Sequence, residues 1–286
     1  MYTSYYGFRE KPFQMTPDPS YLYMSRGHAD TYTHLEYALT EDRGFVVITG
    51  GFGSGKTSLI NLLITELGSP FTVGVLTPNM GQSEQFSEVI YHRFGLDLTG
   101  VDSTEMPGIF RDFLIRHYRA GSRVILIVDE AQRLTDRVVE EIRLLANLKA
   151  GRRYLLQIIL AGQPELKQML TKNWVRQFVQ RVTVCCHLDA LGIDEMDRYI
   201  RHRLHQAGGS ERIDIFDHKA IESIYAHSRG IPRIANIISD AALVYGYADE
   251  LRVIGEGVIE KVVGTRGLNG FPIRDIPHGN APPGTA

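Results

Sequence analysis

The ten residues GGFGSGKTSL at 50–59 contain four glycines, one lysine and three hydroxyl side chains. They come directly after the apolar run FVVIT and lead into KTSLINLLITEL, whose spacing predicts an amphipathic helix over 56–67. Gly50, Gly55, Lys56 and Thr57 stand at the G-x-x-x-x-G-K-[ST] spacing of a phosphate-binding loop. Glycines let backbone N–H groups turn inward around an anion, and the adjoining helix adds the positive end of its dipole. Gly50, Gly51, Phe52, Gly53, Ser54, Gly55, Lys56, Thr57 and Ser58 are therefore the expected nucleotide contacts. Lys56 would reach the β- and γ-phosphates of ATP, and the Thr57 hydroxyl would ligate Mg²⁺. The dinucleotide fingerprint G-x-G-x-x-G fails, because Lys56 stands where a third glycine belongs after Gly51 and Gly53.

The run VILIVDEAQ supplies a second element of the same chemistry. Its apolar residues drive a buried strand up to Asp129 and Glu130. Asp129, at the strand's carboxyl end, would hold Mg²⁺ directly or through water, and Glu130 would be the general base that polarises an attacking water. A carboxylate so placed favours hydrolysis over transfer of the phosphoryl group to a small molecule. Cys185, Cys186 and His187 are consecutive in a predicted strand, where side chains alternate between faces. They cannot converge on one zinc ion, and read instead as core or half-core residues.

These residues need a scaffold, and the pattern between 45 and 188 provides one. Strands are predicted at 45–49, 71–77, 123–131, 154–162 and 182–188, with helical segments at 56–67, 83–94, 107–119 and 136–148. Continuous apolar strands separated by helices indicate a parallel sheet covered on both faces, an α/β fold. Ahead of it, a helix is predicted over 27–41, and residues 1–30 are rich in Tyr, Phe and Pro. After Leu191 only helices are predicted, over 193–207, 217–228, 231–247 and 255–264. The expected division is an arm and helix at 1–44 packed on the core, an α/β nucleotide-binding domain at 45–191, a helical lid at 192–265 and a flexible tail at 266–286.

Over 286 residues the chain carries 31 basic and 33 acidic side chains, a net charge of −2. Nothing in that balance draws the whole protein onto nucleic acid or an acidic membrane. Local basic clusters remain at Arg198, Arg201 and Arg203, in a helix face read as solvated, and at Arg143, Lys149, Arg152 and Arg153. The two cysteines are adjacent, which excludes a disulfide framework and fits a reducing compartment. With neither a signal-peptide-like start nor an apolar run of bilayer length, the expectation is a cytoplasmic protein with no membrane span.

The phosphate loop, the VDEAQ strand end, LLQIILAGQPEL and GIPRIAN together resemble an AAA+ ATPase. The N-terminal YYGFREKPFQMTPDPSYLYMSRGH and AGQPEL narrow the resemblance to the ExeA/GspA family of secretion-associated ATPases and to related ATPases of exosortase and exopolysaccharide systems. It covers roughly residues 2–262. It implies a sensor 1 role for Gln163 beside the γ-phosphate, a sensor 2 role for Arg233, and an arginine finger acting in the neighbouring subunit's site at Arg181, with Arg176 as the nearby competitor. It also implies ATP and Mg²⁺ as cofactors and a homo-oligomer, a nucleotide-dependent ring or filament. Secretion relatives of this type continue into a membrane span and a peptidoglycan-binding region that this sequence lacks, so direct coupling to the cell wall is not expected. The expected function is an ATP-hydrolysing assembly or remodelling factor with a protein partner in a secretion, exopolysaccharide or envelope system. The alternative is a DNA-binding, ATP-dependent switch of the transposition-regulator type.

Overall fold

A computed structural model describes residues 1–41, 44–77, 86–151, 153–170, 182–208 and 213–264. Arg176, Arg181 and the tail from 265 lie outside the described residues, as does Arg152. The chain divides into two compact units, one made of residues 27–50 and 59–188, the other of residues 1–26, 51–58 and 189 onward.

The first unit is the expected α/β layer structure. Strands β1 (Phe45–Gly50), β2 (Phe71–Leu76), β3 (Arg123–Val128), β6 (Leu156–Gly162) and β7 (Val182–Leu188) form one sheet in the order β2-β3-β6-β1-β7. All four pairings are parallel. Every residue of β1 and β6 is buried, as is β3 beyond Arg123, whereas the outer strands β2 and β7 are only partly covered. This is why the central strands read as unbroken apolar runs. Cys185 is accordingly exposed, as is His187, and Cys186 is half-buried, so the core or half-core reading holds for Cys186 alone. The reason is that β7 sits at the sheet's edge.

Helices α2 (Arg26–Thr40), α3 (Lys56–Glu66), α4 (Phe86–Arg93), α5 (Met106–Arg119), α6 (Asp136–Leu145) and α7 (Glu165–Leu170) connect the strands or flank them in sequence. The last carbonyls of α2 are satisfied by the sheet. Gln157, buried in β6, donates through Nε2 to the carbonyls of Ala38 and Leu39 at 3.4 and 3.3 Å. Arg123 at the start of β3 donates to those of Leu39 and Thr40. A helix end left without such donors would bury unpaired acceptors. The strand predicted from Tyr154 starts later, because Lys149–Ala150 and Arg153–Tyr154 fold as a two-residue antiparallel hairpin (β4 and β5) with Gly151 in the left-handed region.

The second unit is helical. It comprises a short α1 (Tyr2–Tyr6) and the four helices α8 (Ile193–Gln206), α9 (His218–Ser228), α10 (Pro232–Ala248) and α11 (Glu256–Gly264). Its core contains Tyr2, Tyr6, Phe8, Phe13 and Tyr21 from the arm together with Met196, Ile200, Ile224 and Ile238 from the helices. The sequence pattern keeps 1–44 together on the α/β core. In the structure α2 belongs almost entirely to the α/β unit, while the aromatic arm completes the helical one.

Arg203 ties the arm in place. It is 7% exposed, donates to the carbonyls of Pro12 at 2.7 Å and Gln14 at 2.9 Å, and lies over the Tyr21 ring at 4.7 Å. Arg201 is paired with Asp197 and Asp214. The helix face read as solvated and basic is thus partly an internal anchor. On the other cluster, Arg143 pairs with Glu140, and Lys149 lies over Tyr154. Among the described residues no helix is long and apolar enough to cross a membrane.

Removing the Arg203 anchor leaves two carbonyls without their donor. Arg203→Ala should lower the unfolding free energy by about 1–3 kcal/mol, read from denaturant midpoints. His202, next to it, is held below the ordinary histidine value by burial and by the charges of Arg203 and His205. The unfolded chain therefore takes up this proton first, so stability should fall as pH drops below about 6.5, and His202→Phe should flatten that dependence.

Candidate nucleotide site

The parallel sheet brings three strand ends side by side. Val128 of β3 pairs with Leu160 of β6, and Gly162 of β6 pairs with Thr49 of β1. Asp129 and Glu130 therefore come after β3, Gln163 after β6, and the phosphate loop continues from β1, all at the carboxyl edge. Thr49, just before the loop, is buried; its hydroxyl lies 2.8 Å from Nδ1 of His187 and donates to the Cys186 carbonyl at 3.2 Å. The α/β unit thus fixes the root of the loop through the neighbouring strand.

The loop itself has the backbone its glycines permit. Gly53 and Gly55 adopt φ of 77° and 97°, in the left-handed region where a Cβ is costly. The Ser54 N–H donates to the Gly51 carbonyl at 3.2 Å, closing the turn, and Lys56 begins α3. Lys56 and Ser54 are both buried. Lys56 Nζ donates to the Gly51 carbonyl at 2.9 Å and lies 3.5 Å from Ser54 Oγ, so its ammonium sits over the loop's own backbone. A buried cation beside a glycine turn at a helix start suits a phosphate group.

Arg233 meets the same loop within the helical unit. Gly230 has φ 76°, and a Cβ there would come within 2.1 Å of the Leu191 carbonyl, so only glycine fits before Pro232 opens α10. That places Arg233 in the first turn of α10. Its guanidinium lies 4.6 Å from the centre of the Phe52 ring, which is 49% exposed, and its Cβ would lie 2.5 Å from a Cβ built on Gly53. The cation–π contact with Phe52 is not visible in any motif. A signal was present only in the unusual choice of an aromatic residue at a variable loop position.

At the end of β3, Asp129 is buried and its Oδ1 accepts from the Glu130 N–H at 2.9 Å. Glu130 is one of the few non-glycine residues with positive φ, at 55° with ψ 33°. This bend turns the chain off the strand and into a 3₁₀ turn at Ala131–Arg133. Glu130 Oε2 accepts from Gln132 Nε2 at 2.8 Å, with Arg133 Nε farther off at 4.0 Å. The Gln163 N–H donates to Gln132 Oε1 at 3.0 Å. Gln132 was not singled out from the sequence, because its importance comes from the neighbouring strand rather than from its spacing.

Substitution at Gly53 would test this arrangement. Gly53→Ala should be strained by about 1 kcal/mol for its left-handed backbone, before displacement of Arg233 is counted. Gly51→Ala, which meets open space at an ordinary φ, should stay within about 0.5 kcal/mol of the parent. Thermal unfolding and nucleotide titration of the two variants would separate them.

A family model described as an AAA domain matches residues 39–170. The chain is 38% identical over 250 residues to general secretion pathway protein A of Aeromonas hydrophila, an alignment covering 87% of this chain and 45% of that protein. It therefore spans just under half the length of this relative. Among solved structures it is similar to the ORC2 protein of Aeropyrum pernix (TM-score 0.67, 16% identity, 90% of this chain and 72% of that one). It is also similar to Cdc6p of Pyrobaculum aerophilum (TM-score 0.65, 13%, 88% and 70%) and to the RuvB branch-migration motor of Thermotoga maritima (TM-score 0.55, 17%, 84% and 70%). At these identities the structural likenesses speak to the fold, a P-loop α/β layer continuing into helices. The matched AAA domain and the 38% identity over most of this chain mark it as an AAA+ protein related to general secretion pathway protein A.

Proposed function

We propose that this protein binds ATP through residues 50–58 and hydrolyses it. The observation that carries this reading is the phosphate loop: positive-φ glycines at 53 and 55 and a buried Lys56 over the loop backbone, next in chain to a strand that lies in one sheet with the strand ending at Asp129–Glu130. Hard oxygen donors suit Mg²⁺, so the Thr57 hydroxyl and the buried Asp129 carboxylate would hold it. Bound there, the ion would neutralise charge on the phosphate oxygens. Glu130, about a third exposed, would accept the proton of the attacking water. Gln163 would contact that water or the γ-phosphate, and Arg233 would bring the helical lid's charge to the phosphates. Arg181, in preference to Arg176, would complete the site of an adjacent subunit in a nucleotide-dependent homo-oligomer.

The likeness to general secretion pathway protein A supports a role as an ATP-driven assembly or remodelling factor for a protein partner in a secretion, exopolysaccharide or envelope system. The reading as a DNA-dependent switch loses part of its candidate surface, since Arg203 is committed to the arm carbonyls and Arg201 to the carboxylates of Asp197 and Asp214.

Lys56→Ala should weaken ATP binding at least tenfold in a titration with a fluorescent analogue. Glu130→Gln should bind ATP like the parent and lose at least about a hundredfold in turnover. Turnover indifferent to duplex DNA is expected, and a salt-sensitive stimulation by DNA would overturn the envelope reading in favour of the switch. Mixing Lys56→Ala with Arg181→Ala subunits should restore part of the lost activity if the finger acts in trans.

A further inference from the structure

We infer that Gln132 is a positioning residue for hydrolysis, a bridge that fixes the Glu130 carboxylate by one oxygen and ties it to the end of β6; this rests on the reading of Glu130 as general base. The turn at Glu130 is strained. A glutamate at φ 55° holds a backbone conformation that costs a residue with a Cβ, and its partly exposed carboxylate is held by a neighbour. Gln132 is that neighbour. Its amide N–H donates to Glu130 Oε2 at 2.8 Å, and its amide oxygen accepts the Gln163 N–H at 3.0 Å. Both ends of one side-chain amide are thereby used, each in the only polarity that its partner allows, since a carboxylate accepts and an N–H donates.

The close contact Glu130 makes through Gln132, and the longer one with Arg133, both fall on Oε2. Among the described residues Oε1 carries no hydrogen bond, and it is the oxygen left to take a proton from water. Gly162 shows that β6 accommodates this bridge. A Cβ on Gly162 would come within 2.7 Å of Gln132 Oε1, 3.0 Å of Leu166 Cδ2 and 3.2 Å of the Gln132 N. The glycine at this strand end is where the glutamine crosses. Because Gln163 is the next residue in the chain, a shift of the sensor residue would be passed to the base through a single side chain.

Three variants of the full chain test this, read by steady-state kcat, nucleotide Kd and thermal midpoint. Gln132→Glu keeps an acceptor for the Gln163 N–H but replaces the donor to Glu130 with a second carboxylate that repels it, so a role confined to holding the turn against β6 would survive while the Glu130 carboxylate loses its restraint. We expect kcat to fall roughly tenfold, with Kd for ATP within about twofold of the parent. Gly162→Ala, which alters neither partner but pushes the amide aside, should give the same split between kcat and Kd, and Gln132→Ala should match both. Parent-like turnover in Gln132→Glu or in Gly162→Ala would overturn the bridge. If Gln132→Ala unfolds, the other two still decide. A Glu130→Gln protein that turns over normally would sink the general-base reading itself, whereas an inactive Glu130→Gln beside fully active Gln132 and Gly162 variants would sink only the bridge.

Discussion

A strand buried on both faces cannot carry a charged side chain along its length, because the unpaired charge would cost far more than the strand's packing returns. Chemistry is therefore confined to strand ends. In this protein that constraint decides the position of nearly every candidate residue. β1, β3 and β6 are almost wholly buried, and the groups that follow at their carboxyl ends are Gly50–Gly51, Asp129–Glu130 and Gln163. Parallel pairing then places these three ends at one edge of the sheet, with β6 between the other two.

The three strand ends differ in kind, and so does their chemistry. After β1 the backbone turns through glycines at positive φ, and Lys56 donates back to the Gly51 carbonyl. After β3 two consecutive carboxylates follow, the second in the left-handed conformation that opens the 3₁₀ turn. After β6 a single amide N–H secures the connection between strands.

The helical unit is organised around burial of another kind. The aromatic arm contributes rings to a core that four short helices share, and the buried Arg203 satisfies arm carbonyls that would otherwise be orphaned. Within the same unit Arg233 stands against Gly53 and Phe52 of the phosphate loop. An exposed ring in the loop gives the guanidinium a face to rest on, a contact worth about 0.5–1 kcal/mol at exposed sites.

The α/β layer, the strand-end positions of Asp129, Glu130 and Gln163, and the phosphate loop were legible in the sequence, because each depends on local pattern: apolar runs of strand length, glycines at fixed spacing, polar residues where the runs stop. GIPR was legible for a similar reason, as Gly230 and Pro232 leave the backbone little choice. The order of strands, the exposure of Cys185, the assignment of the arm to the helical unit and the inward turn of Arg203 were not. Each depends on which distant surface a segment meets, and a basic helix face reads the same whether its partner is water or a carbonyl far away in the chain. Gln132 marks the boundary most clearly. Its neighbours in sequence announce carboxylate chemistry, but its own two hydrogen bonds exist only because β6 pairs beside β3 and ends in a glycine that leaves room for it.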